Sequence, residues 1–164
     1  MQKNIILIGM AGCGKSTVGV LLAKALGCAF IDTDLIIQQR EGKLLQEIIN
    51  SDGVEAFKAA EERALLDVDA SLAVIATGGS AVYSAAGMAH LRKNGVCVWL
   101  SLPFAEIERR IHNIATRGIA IAPGKTLRDA YDEREPLYER YADITVSCTG
   151  GIESTVAAVM EALR

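Results

Sequence analysis

Nine residues near the start of the chain, Gly9-Met-Ala-Gly-Cys-Gly-Lys-Ser-Thr17, fit GxxxxGK[ST] with Gly9, Gly14, Lys15 and Ser16 in the fixed places. Glycines let the backbone turn its N–H groups inward around a phosphate. A helix beginning at Lys15 aims its positive end at the same point. The backbone of Gly12, Cys13, Gly14, Lys15, Ser16 and Thr17 is therefore the expected cradle for a nucleoside triphosphate. Lys15 supplies a full charge at its outer phosphates, and the Ser16 hydroxyl is a ligand for Mg²⁺. Cys13 reads as a small space-filling residue inside the loop.

The second chemical cluster is Asp32-Thr-Asp34. Two carboxylates at this spacing can divide labour, Asp32 beside the metal and Asp34 accepting a hydrogen bond from an attacking hydroxyl. The competing reading is a helix cap made by Asp32 or Thr33. A nucleoside triphosphate brings several negative charges together. A chain with 17 Lys and Arg against 20 Asp and Glu, net charge -3, must meet them with a local cationic cluster. Lys15, Arg110, Arg117 and Arg134 are the candidates. The competing readings are a solvated loop charge for Arg117, a helix-surface charge for Arg110, and for Arg134 a surface ion pair with Glu133 or Glu135.

These residues need a scaffold that gathers strand ends. Short apolar runs near 4–8, 29–32, 72–76, 96–100 and 144–148 predict five strands. Helical periodicity falls near 15–26, 34–41, 45–49, 54–68, 84–93, 103–112, 126–141 and 152–163. Such alternation predicts the α/β class with a mostly parallel sheet, whose ligands collect at the strand C-terminal ends. The segment 113–125, with Gly118, Pro123 and Gly124, resists assignment, and a loop of that length is expected to be functional.

With 164 residues, 51% hydrophobic and a mean hydropathy of +0.26, the chain reads as one folded domain. No membrane span, targeting segment or basic stripe for nucleic acid is legible, so a cytoplasmic protein is expected. Cys13, Cys28, Cys97 and Cys148 lack metal-ligand spacing and read as reduced thiols.

The phosphate loop, Asp32-Thr-Asp34, the 55–61 helix Glu55-Ala-Phe-Lys-Ala-Ala-Glu61, Ala76-Thr-Gly-Gly-Ser80 and Arg134-Glu-Pro-Leu-Tyr138 together resemble the shikimate kinase family across nearly the whole chain. The resemblance implies a P-loop NTPase fold of the nucleoside-monophosphate-kinase type, with five parallel strands in the order 2-3-1-4-5. It implies transfer of the ATP γ-phosphate to the 3-hydroxyl of shikimate, by a cytoplasmic monomer serving aromatic amino-acid synthesis. A helical substrate region at about 33–61 and a lid at about 113–125 follow from it. By the same resemblance Lys15, Asp34 and Arg117 are catalytic, Arg117 closes over the phosphates, and Arg110 packs on adenine. Asp34, Lys58, Gly78, Gly79, Ser80 and Arg134 bind the acceptor; Ser16 and Asp32 hold Mg²⁺.

Four departures from the family pattern stand out. Lys58 stands where the family has arginine, losing a planar fork on the substrate carboxylate worth about 1–3 kcal/mol. Ser80 fills a glycine position and narrows the pocket, Gly118 replaces a lid proline, and Thr149-Gly-Gly151 replaces an arginine-bearing adenine loop. The same fold acting on another small alcohol, such as homoserine, and a catalytically silent ATP-binding module are the alternative readings.

Overall fold

The computed structural model describes residues 3–112 and 117–164. Its centre is β1 (Asn4–Ile8), buried at every position, as expected of a parallel strand covered on both faces. Around it lie β2 (Ala29–Asp32), β3 (Ala73–Ala76), β4 (Gly95–Ser101) and β5 (Ile144–Ser147) in the order β2-β3-β1-β4-β5, all parallel. This is the order implied by the family resemblance. Register places Leu7 of β1 and Asp32 of β2 on either side of Ala76 in β3. The phosphate loop after β1, the acidic tip of β2 and the glycines after β3 thus emerge side by side.

Helices α1 (Lys15–Leu26), α5 (Ala85–Arg92), α6 (Phe104–Arg110), α7 (Leu127–Tyr141) and α8 (Ile152–Ala162) surround the sheet. Sheet side chains such as Ile6, Leu7, Ile75 and Val98 are wholly buried against Val18, Leu22, Met88 and Val159. Helices α2 (Thr33–Glu41), α3 (Leu45–Asp52) and α4 (Val54–Leu66) enclose a second, smaller core of Ile37, Ile48, Phe57, Ala60, Ala64 and Ala120. Ala120 belongs to the segment after Arg117, so the segment expected to cover the site packs on this helical lobe.

Element boundaries differ from the sequence reading by a residue or so at most ends, and by up to three in α3. The causes are local. Ser84 and Thr126 lie outside their helices because their side-chain oxygens cap them, accepting from the Gly87 and Asp129 amides. One element was not anticipated, a 3-10 turn over Ala81–Tyr83. Residues 113–116 of the anticipated lid lie outside the described residues.

Candidate active site

The loop after β1 turns into α1 through Gly14, at φ 94°, a left-handed conformation that side chains disfavour. Lys15 follows and is only 8% exposed. Its Nζ donates to the carbonyls of Gly9 at 2.6 Å and Met10 at 2.9 Å, so the ammonium sits inside the curl of its own loop. Cys13 is buried, its amide donating to the Met10 carbonyl at 3.2 Å. Its side chain fills the loop interior; its N–H closes the loop rather than facing a ligand. Among the described residues the four cysteines are free thiols.

Ser16 and Asp32 meet as the motif spacing requires, the Ser16 hydroxyl donating to Asp32 Oδ2 at 2.8 Å. Asp32 also caps α2, its Oδ1 accepting from the Asp34 amide at 3.0 Å. The cap and the acidic tip, competing readings of the sequence, are one arrangement: capping aims the second Asp32 oxygen at Ser16.

Asp34 turns inward from the first turn of α2. Its Oδ1 is shielded from solvent without a hydrogen-bond partner, and the same holds for Oε2 of Glu61 on α4. Both orphaned oxygens crowd the Cα of Gly78: a Cβ there would collide with Glu61 Oε2 and lie 2.7 Å from Asp34 Oδ1. Burial, then the negative Asp32, push the Asp34 carboxyl up to about 6, against the pull of Lys15. Burial also lifts Glu61 to about 7, with the Ser80 bond opposing and the negative Asp34 adding to the rise.

Two predictions follow from this crowding. Alanine at Gly78 must displace one of the two carboxylates, so G78A is expected to cut kcat/KM by about 10²-fold, as steady-state kinetics would show. Glu61→Gln retains an acceptor for Ser80 and offers an amide to the orphaned Asp34 oxygen. Because the native Glu61 pKa lies above its unfolded value of 4.5, its carboxylate form is disfavoured in the fold and weighs on stability as pH rises through about 7. E61Q is therefore expected to melt higher than the parent by about 4 °C at pH 8 and to lose that gain towards pH 4.5, by calorimetry.

Opposite the carboxylates, Arg134 projects from α7 and is 1% exposed. Its Nη2 donates to the Ala120 carbonyl at 2.5 Å and its Nε to the Tyr83 hydroxyl at 3.4 Å. Among the described residues it forms no ion pair. Glu133, a suggested partner, pairs instead with Lys125 at 2.9 Å. The surface-charge reading of Arg134 is therefore replaced by that of a buried cation with unspent charge. Tyr138, one turn on along α7, donates to the Gly79 carbonyl at 2.5 Å and holds the glycine stretch beneath the guanidinium.

Lys15, Ser16, Asp34, Gly78, Gly79, Arg117 and Arg134 line one cavity. Ser80 lines it too, but its hydroxyl is committed to Glu61 Oε1 at 2.5 Å. Arg117 is exposed at the rim, while its neighbour Gly118 donates its amide to Gln46 Oε1 at 3.0 Å and so ties this segment to α3. Arg110 stands outside the cavity, half-buried, donating to the carbonyls of Gly12 and Cys148, both at 3.4 Å. Lys58 also lies beside the cavity rather than in its lining, its Nζ 4.2 Å from the centre of the Tyr83 ring. Glu61, Tyr83 and Tyr138 were not assigned roles from the sequence. Spacing offered a hint: Glu61 lies three residues beyond Lys58, and Tyr138 four beyond Arg134, each on one helix face.

A family model described as shikimate kinase matches residues 11–164. The chain belongs to the shikimate kinase family. A shikimate kinase of Thiobacillus denitrificans is 38% identical over 148 residues, covering 88% of this chain and 81% of its own. Shikimate kinase 2 of Enterobacter sp. is 34% identical over 169 residues, covering 100% of this chain and 97% of its own. The solved shikimate kinase of Acinetobacter baumannii in complex with shikimate superposes with a TM-score of 0.90 at 29% identity, covering 99% of this chain and 93% of that one. The family's activity is ATP-dependent phosphorylation of shikimate, and this chain is a transferase of that class. Among the described residues no helix is long and apolar enough to cross a membrane.

Proposed function

We propose that this chain transfers the γ-phosphoryl group of ATP to the 3-hydroxyl of shikimate across the cavity between the phosphate loop and Arg134. The observation that carries the reading is the buried Arg134, without an ion pair among the described residues, in the same cavity as Lys15 and the orphaned Asp34 oxygen. A buried guanidinium is costly unless an anion meets it. A hydroxy acid supplies that anion and at its other end an alcohol for Asp34.

In this reading the amides of Gly12, Cys13, Gly14, Lys15, Ser16 and Thr17 surround the phosphates, with Cys13 contributing least because its N–H is bound to Met10. Lys15 leaves the Gly9 and Met10 carbonyls for the phosphoryl oxygens. Asp34 takes the proton of the 3-hydroxyl as that oxygen bonds to phosphorus, and the bond to ADP breaks. Arg134 grips the carboxylate, with Lys58 at the cavity edge. Gly78, Gly79 and Ser80 form the wall. Arg117 closes over the phosphates, and Arg110 lies on the nucleobase side. Ser16 and Asp32 are hard oxygen donors already in contact, which fits Mg²⁺ bound largely by phosphate and water. Mg²⁺ would neutralise phosphate charge there.

The same proposal takes residues 1–164 as a single domain, with a substrate region at about 33–61 and a lid at about 113–125, acting as a cytoplasmic monomer. ADP release from Mg²⁺-ATP, measured with shikimate and with homoserine, tests it. Turnover is expected with shikimate; homoserine-only turnover would replace the acceptor, and nucleotide binding without turnover would leave only a binding module.

A further inference from the structure

Two cations of the site share one aromatic ring. The Lys58 ammonium lies 4.2 Å, and the Arg134 guanidinium 5.5 Å, from the centre of the Tyr83 ring. The Tyr83 hydroxyl accepts from Arg134 Nε at 3.4 Å. Among the described residues Lys58 has one further partner, Glu55 at 3.8 Å, whose side chain is 90% exposed and so holds it weakly. The ring is half-buried and ends the 3-10 turn that begins directly after Ser80, so one short stretch of backbone carries both the cavity wall and the ring.

A lysine ammonium sits on a four-carbon stem with rotatable donors and has no direction of its own. The π face of a tyrosine supplies one by attracting the cation to a fixed point. For Arg134 the hydroxyl adds a second restraint to the Ala120 carbonyl and leaves its remaining donors for the cavity. We propose that Tyr83 is a positioning residue for the acceptor's carboxylate, holding Lys58 and Arg134 where that group binds and so setting the preference for acidic over uncharged alcohols. The proposal rests on the phosphotransfer reading above and adds a specificity determinant to it.

The discriminating comparison is shikimate against its methyl ester, which keeps the hydroxyls and removes the negative charge. Tyr83→Leu and Tyr83→Met remove the ring face. Either is expected to raise KM for shikimate about five- to thirty-fold while kcat and KM for ATP stay within about three-fold. KM for the ester should not move, so the preference for the acid falls by the same factor. Tyr83→Phe, which keeps the ring, should restore KM for shikimate to within about three-fold of the parent. Equal losses for acid and ester, an unchanged KM in both ring-less variants, a Phe variant as poor as Leu, or failure of both ring-less variants to fold would each overturn the proposal. Absence of shikimate turnover by the unaltered protein would instead remove the underlying reading, and this one with it.

Discussion

Alanine at position 15 is expected to lower turnover with shikimate by about 10³-fold or more while leaving the protein folded. Lys15 is held by two neutral carbonyls, Gly9 and Met10, and is nearly shielded from solvent. Phosphoryl oxygens are the stronger partner, because they meet the ammonium with full negative charge where a carbonyl offers only a dipole. The ammonium therefore has a defined ground-state position and a defined destination, and its charge counts most where negative charge shifts towards the leaving oxygen. Among the described residues no other cation sits inside the phosphate loop: Arg110 donates to the Gly12 and Cys148 carbonyls outside the cavity, Arg117 stands at the rim, and Arg134 is held by the Ala120 carbonyl and the Tyr83 hydroxyl. Stability should change little, since what is lost is about one net hydrogen bond, roughly 1 kcal/mol, or a melting shift of about 2–4 °C. Single-turnover ADP formation read beside a melting curve separates the two effects. Activity within about ten-fold of the parent would remove phosphoryl transfer from this cavity.

What could be read before the structure, and what could not, divides along a physical line. The phosphate loop is local: glycines, lysine and serine act through backbone geometry contained in nine consecutive residues, so motif and structure coincide. β1 was equally legible, because a strand buried on both faces must be apolar throughout. Glu61 was not. Within Glu55-Ala-Phe-Lys-Ala-Ala-Glu61 nothing in the local sequence assigns it a role. It is buried only because Gly78 and Ser80 arrive from the end of β3. Lys58 shows the converse. Its charge was legible, but its direction depends on Tyr83, 25 positions away in a three-residue turn too short for any periodicity to reveal. Arg134 was a candidate for the cationic cluster from the sequence, with a surface ion pair to Glu133 or Glu135 as the competing reading. Helix phase sends those neighbours outward and the guanidinium in.

Asparagine at position 34 is expected to reduce kcat by about 10²-fold and to remove the acid limb of the pH–rate profile, and the two effects have one cause. The base must be ionised to accept the hydroxyl proton. Burial and Asp32 raise Asp34 to about 6, so below that pH the parent enzyme should lose activity about ten-fold per pH unit. Glu61, lifted to about 7, faces the same glycine, so the profile should report the carboxylate pair rather than Asp34 alone. Asparagine cannot take the proton and has no such titration; its residual rate should be flat across this limb. Stability should move the other way. A carboxyl with a native pKa above its unfolded 3.8 is disfavoured in its charged form, so its cost to the fold appears as pH rises from about 4 to 6 and persists above. D34N should therefore melt higher than the parent at pH 8 and equally at pH 4, while its flat rate lies about 10²-fold below the parent at pH 8 and meets the falling parent rate near pH 4. A variant that loses activity and stability together at pH 8 would assign Asp34 to holding α2 in place, leaving the attacking hydroxyl without a base in this cavity.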